Sequence, residues 1–253
     1  MSLSWQKKEN VGIIQVSSTD DEPISIVNLS FDLSDICAEI SLDEEIRVII
    51  LTGLGERSLS FEQDAFSGVS LQGRESHQTW SMAEPVFNLD LPVIAAIHGD
   101  ALDQILELAL ACDIRVATDR SHFGLSQITK GLIPCDGGTQ RLARFVGKGK
   151  ALEMILTGEI IDAQEAFRIG LVNRIVPESE LIISTLGLAQ EMASKGPVAL
   201  KYVKEAVSKG MDLTLEQGLR LEADLYFLLH TTRDREEGIK AFQEKRPVGF
   251  EGK

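Results

Sequence analysis

Glu107 stands between Leu106 and Leu108 in a stretch from Ile105 to Ala111 that is otherwise apolar. A carboxylate taken out of water is costly unless it is hydrogen-bonded or exchanges a proton. Glu107 therefore reads either as a general acid/base or as a salt-bridged buried acid. Several other chemistries lack their residues. Cys37, Cys112 and Cys135 are odd in number and far apart, so neither a disulfide framework nor paired zinc spacing is available, and buried or half-buried thiols are expected. His77, His98, His122 and His230 form no H-x-x-x-H pair, and no metal site is expected. No G-x-S-x-G elbow offers a serine nucleophile. Gly53-Leu54-Gly55 lacks the third glycine of a dinucleotide turn. Gly147-Lys148-Gly149-Lys150 lacks the earlier glycine of a phosphate loop and is followed by alanine, so both read as turns.

The elements that must position Glu107 alternate along the first half of the chain. Residues 11–16, 47–51, 93–97 and 114–117 are short and rich in Val and Ile, which predicts largely buried strands. Residues 31–40 and 80–89 have helical apolar spacing, and the segment 103–111 is apolar nearly all round, which predicts an interior helix. Asp103 reads as its N-cap or first-turn acid. After Pro134 come short helices at 139–145, 151–156 and 163–169, a strand at 171–176, and helical pattern from Glu178 onward. Gly196-Pro197 marks a helix boundary, and Leu215, Leu219, Glu222, Tyr226 and Leu229 follow i, i+4, i+7 spacing. The last helix, 234–245, has acids in its first turn and Lys245-Arg246 at its end, as the helix dipole prefers.

The 253 residues, 43% hydrophobic and 25% charged, describe a folded globular chain rather than a disordered one. Lys and Arg number 25 against 39 Asp and Glu, a formal charge of -14, which argues against a nucleic-acid partner and requires any polyanionic ligand to find a local basic pocket. No apolar run reaches the roughly 18 residues of a membrane span. The polar start from Met1 to Asn10 lacks a secretory apolar stretch, so a cytoplasmic protein without a membrane partner is expected.

One set of blocks, in order, is specific. It comprises Ile94-Ala95-Ala96-Ile97-His98-Gly99, the run from Glu107 to Ala117, Phe123-Gly124, Gly131-Leu132-Ile133-Pro134 and Gly137-Gly138-Thr139-Gln140-Arg141-Leu142. It continues through Val146-Gly147-Lys148, Glu153 to Gly158, Gly170-Leu171-Val172-Asn173 and Glu237 to Arg246. Together these resemble the enoyl-CoA hydratase/isomerase (crotonase) superfamily over nearly the whole chain from residue 45. The resemblance implies an α/β fold, a crotonase-like spiral of ββα units in residues 1–190, with an α-helical C-terminal trimerisation region in residues 191–253. It also implies a coenzyme A thioester as ligand, no separate cofactor, and a homotrimer or dimer of trimers.

The family chemistry implied is an enolate held at the thioester oxygen by two backbone N–H groups, because preorganised dipoles oppose the charge as it develops. The resemblance places Phe61 and Gln104 at those donor positions. Leu59-Ser60-Phe61-Glu62-Gln63-Asp64 stands where the family usually has F-S-A-G-A-D, and Asp103-Gln104-Ile105 where it usually has three glycines. Those side chains narrow the approach to the backbone, while the helix N-terminus keeps its free amides. Glu107 matches the first catalytic acid of family hydratases. Gln127 occupies the second position and has no proton to exchange near neutral pH, so it reads as a polar orienter. Asp136 reads either as a second acid, in a proton shuttle like those of the superfamily's isomerases, or as the cap of the helix beginning near Gly137.

Ser60, Gln63, Asp64, Phe242 and Lys245 match substrate or coenzyme A contacts, with Arg246 alongside. The family's early basic residue is absent near Asp20-Asp21-Glu22-Pro23. Hydration or double-bond isomerisation of an unsaturated acyl-CoA is the activity implied. Thioester hydrolysis, decarboxylation and a non-catalytic subunit of the same fold remain the alternatives.

Overall fold

The computed structural model describes residues 2–17, 26–55 and 81–253. Its main sheet has six strands: β1 (Ser2–Lys8), β2 (Val11–Ser17), β3 (Val48–Leu54), β4 (Val93–Ile97), β6 (Ile114–Thr118) and β9 (Arg174–Val176), in the spatial order β1-β2-β3-β4-β6-β9. β1 and β2 pair antiparallel, and every later neighbour pairs parallel. A second sheet of three strands sets β5 (Ala101–Leu102) beside β7 (His122–Gly124) and β7 beside β8 (Ile160–Asp162).

Side chains alternate across a strand, so the continuous apolar runs of β3 and β4 must be covered on both faces. Val48, Ile50, Ile94, Ala96 and Val116 point to one face, where Leu181, Ala189 and Ala193 of α7 (Leu181–Ala193) pack. Ile49, Leu51, Val93, Ala95 and Ile97 point to the other, under α1 (Ile26–Leu42), α2 (Ala83–Phe87) and α3 (Gln104–Ala111). Each fully buried Ile or Leu contributes roughly 1.5–3 kcal/mol to this arrangement. α7 straddles the expected boundary between residues 190 and 191, since Ala193 still lies on the sheet.

Further helices follow β7: α4 (Gly138–Val146), α5 (Lys148–Thr157), α6 (Ala163–Arg168), then α8 (Pro197–Gly210), α9 (Leu215–Leu229) and α10 (Arg233–Glu244) after α7. Two expected elements are shorter than their sequence pattern, and a third is shifted by one residue. The helix expected over 80–89 is confined to Ala83–Phe87, with Trp80 outside the described residues. Leu171 and Val172 are buried but not in a strand, because their N–H groups turn back to the Ala166 carbonyl at the end of α6; the ladder starts only at Arg174. The last helix begins after Thr232, whose side chain accepts the Arg235 N–H, and ends at Lys245, which adopts the left-handed conformation.

Every residue of α3 after Gln104 is buried, as the apolar run required. Its far end is stapled by Arg115, fully buried on β6. The Arg115 guanidinium donates to the carbonyls of Leu171 at 2.6 Å and Cys112 at 2.8 Å and lies 4.0 Å from the centre of the Phe145 ring. Among the described residues no helix is long and apolar enough to cross a membrane.

Candidate active site

Glu107 lies in the first turns of α3 with no exposed surface. Its Oε1 accepts two main-chain hydrogen bonds, from Asp136 N–H at 2.7 Å and from Gly138 N–H at 2.8 Å. Its Oε2 accepts from Gln127 Nε2 at 3.3 Å. Burial pushes the carboxyl up to about 7; the two backbone donors oppose that rise, while the nearby charges of Asp136 and Asp103 add to it. No cation pairs with Glu107 among the described residues, so the salt-bridged reading of the buried acid is replaced by main-chain and amide partners.

Gly138 makes this approach geometrically feasible. A Cβ built there would stand 2.8 Å from the Pro134 Cβ and 2.9 Å from Glu107 Oε1. Gly137, the N-cap of α4, sits at φ 98°, and a Cβ there would be 2.0 Å from Arg141 Nη1. The Gly137-Gly138 pair thus lets the backbone come within hydrogen-bonding distance of the acid.

Gln127 begins a 3-10 turn (Gln127–Lys130) and is buried. Its amide nitrogen is used by Glu107, whereas its Oε1 is buried and has no hydrogen-bond partner among the described residues. Such an acceptor is normally satisfied by protein or water, so this oxygen marks a place where a donor belongs.

Asp136 does not cap the helix that follows it. That cap is Gly137, with no side-chain hydrogen bond, and the Asp136 carboxylate turns instead to the start of α2. Oδ1 takes the hydroxyl hydrogen bond of Ser81, and Oδ2 accepts from Met82 N–H at 2.9 Å and Ala83 N–H at 3.0 Å. Asp103 departs from expectation in a similar way. It stands at φ 49° and ψ -119°, outside the extended backbone usual for an N-cap, and makes no side-chain bond to its own helix. Its carboxylate accepts from Ser126 N–H at 2.6 Å and Ser126 Oγ at 3.0 Å, which ties the N-terminus of α3 to the segment entering Gln127.

Gln104 is the first residue of α3, where a main-chain N–H has no intrahelical acceptor. Phe61, Ser60, Gln63 and Asp64 lie outside the described residues. Phe242 is 86% exposed and lines a cavity of about 560 Å³ with Tyr226, His230, Ile239 and Phe250 in the C-terminal region, and Glu107 is not among the residues lining it. Arg246 is held by Glu237 and Glu244, whereas Lys245 is exposed beside it. Among the described residues no cluster of His, Cys, Asp and Glu suits a metal ion. Cys37, Cys112 and Cys135 are in no disulfide, and burial pushes the Cys135 thiol up to about 12, so it stays protonated beside Glu107.

Ser81, Ser126 and the main-chain donors to Glu107 were not anticipated from the sequence. Nothing local marks either serine, because each meets its partner only through long-range folding. The glycine pair preceding Thr139 was the visible trace of the close approach to Glu107.

The fold agrees with that of known proteins this chain resembles. The family model described as enoyl-CoA hydratase/isomerase matches residues 8–253. The chain is 33% identical over 253 residues to the crotonyl-CoA hydratase of Syntrophomonas wolfei, covering 98% of this chain and 97% of that one. It is 37% identical over 227 residues to the short-chain-enoyl-CoA hydratase of Clostridium acetobutylicum, covering 88% and 87%. The crystal structure of an enoyl-CoA hydratase from Bacillus anthracis superposes with a TM-score of 0.91 at 37% identity over 100% of both chains. The expected α/β crotonase architecture therefore holds, and the chain belongs to the enoyl-CoA hydratase/isomerase superfamily.

Proposed function

We propose that this enzyme of the enoyl-CoA hydratase/isomerase type moves protons on an unsaturated acyl-CoA thioester with Glu107 as its acid/base. The observation that carries the proposal is a buried carboxyl with one oxygen tied to two main-chain N–H groups and the other turned toward an amide whose oxygen lacks a donor among the described residues. A water molecule on Gln127 Oε1 and Glu107 Oε2 would satisfy that amide oxygen and be aligned for attack.

In hydration, ionised Glu107 takes one proton from this water as its oxygen bonds to the β-carbon. The electron pair of the C=C bond moves toward the thioester carbonyl and forms an enolate. The N–H groups of Gln104 and Phe61 stabilise that oxygen, each donor being worth about 3–4 kcal/mol of barrier. Glu107 returns its proton to the α-carbon, so one water is added across one double bond. Double-bond isomerisation uses the same carboxyl to take a proton from one carbon and return it to another.

No cofactor is needed beyond the coenzyme A that the substrate carries. Ser60, Gln63, Asp64, Phe242 and Lys245 are assigned to the thioester ligand by resemblance alone. The exposed apolar stripe of Leu215, Leu219 and Tyr226 on α9 supports assembly as a homotrimer or dimer of trimers. Three cysteines outside any disulfide fit a reducing, cytoplasmic setting.

The test is the enoyl absorbance of crotonyl-CoA and of a 3-enoyl-CoA mixed with the protein, alongside Glu107→Gln. Turnover by the wild type and a loss of at least about a hundredfold in the variant are expected. Unchanged turnover in the variant removes Glu107 from the mechanism. Silence of the wild type with binding of the ester points to hydrolysis or decarboxylation, and silence without binding points to a non-catalytic subunit.

A further inference from the structure

We propose that Ser81 and Asp136 form a clamp that positions Glu107, with Asp136 acting through its main chain and not as a second proton carrier. This rests on the assignment of Glu107 as the acid/base. Both carboxylate oxygens of Asp136 are occupied: Oδ1 by the Ser81 hydroxyl, and Oδ2 by the N–H groups of Met82 and Ala83. The Ser81 oxygen itself accepts from Glu84 N–H at 2.9 Å, so its single hydrogen is directed to Asp136. All three donors come from the start of α2, so the Asp136 carboxylate is engaged there rather than with Glu107.

The remaining groups of Asp136 face the other way. Its carbonyl accepts from Arg141 Nη1 at 2.9 Å, and the same guanidinium lies 4.8 Å from the centre of the Phe87 ring at the far end of α2. Its N–H meets Glu107 Oε1 at 2.7 Å. One residue is therefore held from α2 through its side chain and from α4 through its carbonyl, and it hands that fixed position to the acid. With Oε1 saturated by Asp136 and Gly138, Oε2 is the oxygen left to exchange a proton. Ser81 is a positioning residue that reaches the chemistry only through Asp136.

The experiment is a double-mutant cycle in the full chain with Ser81→Ala, Asp136→Asn and both together. It reads kcat and KM for crotonyl-CoA, thermal midpoint, and hydrogen exchange at the Asp136 and Gly138 amides. The clamp predicts that each single change lowers kcat about tenfold, with KM within about threefold, and that the double variant is no slower than Asp136→Asn alone. It also predicts exchange at the Asp136 amide about tenfold faster in Ser81→Ala, below the acceleration expected from global unfolding. Loss of all turnover in Asp136→Asn with a wild-type rate in Ser81→Ala would make Asp136 a proton carrier and overturn the clamp. Additive losses, or wild-type rates in both single variants, would overturn it as well. The exchange readout needs no turnover, so a protein silent on crotonyl-CoA defeats the assigned reaction while the clamp still stands or falls on the Asp136 amide.

Discussion

Glu107 and Gln127, twenty residues apart in sequence, meet at 3.3 Å, with Gln127 Nε2 donating to Glu107 Oε2. An amide thus faces the acid where a second carboxyl would otherwise repel it. Two carboxyls this close in a dry site would share one proton and titrate as a coupled pair. With glutamine opposite, Glu107 is the only member of the pair able to exchange a proton near neutrality.

The rate should therefore rise with pH through about 7, as Glu107 ionises, and then level off. Gln127 does not titrate, and the Cys135 thiol is pushed up to about 12, so neither supplies a descending limb near neutrality. Initial rates between pH 5 and 9 check this; a bell with a second limb between pH 7 and 9 requires another acid.

Glu107→Gln should be inactive yet more stable than wild type at alkaline pH. The folded Glu107 carboxyl titrates near 7 against an ordinary 4.5, so folding favours its protonated form. That contribution is complete below pH 4.5, is lost as pH rises from 4.5 to about 7, and stays lost above. The shift corresponds to about 3 kcal/mol. Denaturant unfolding of both proteins at pH 5 and pH 8 reads it. A gap that fails to widen toward pH 8 means the carboxyl is not disfavoured by burial.

Gly138→Ala should damage the site more than the fold. The new methyl would press on the Pro134 ring and Glu107 Oε1, and the overpacking costs about 1–3 kcal/mol. Displacing the Gly138 N–H also removes one of the two donors on Oε1. The thermal midpoint should fall by several degrees, and kcat should drop by at least about tenfold with little change in KM. A wild-type kcat would show that Oε1 does not need both donors.

Much of the architecture was legible because burial leaves a periodic trace. The Val/Ile runs of β3 and β4 and the all-round apolar α3 announced strands and a helix covered on every side, and the same α3 pattern exposed Glu107 as the residue out of place. The ordered glycine, proline and acidic blocks carried the family. Residues 171–172 were misread as strand because they are apolar and buried without joining the ladder, and composition reports burial rather than hydrogen-bond partners.

The roles of Asp103 and Asp136 are where tertiary structure decided. Local rules made each a helix cap, since an acid just before a helix usually satisfies that helix's own free amides. In the fold, Asp103 reaches Ser126 and Asp136 reaches Ser81, partners 23 and 55 residues away. The chain alone determined which residue types were available and which segments had to leave water. Which donor each buried acid found depended on distant segments brought together by the packing of the sheet and helices, and a carboxylate bonds whichever fixed N–H or O–H lies nearest once water is gone.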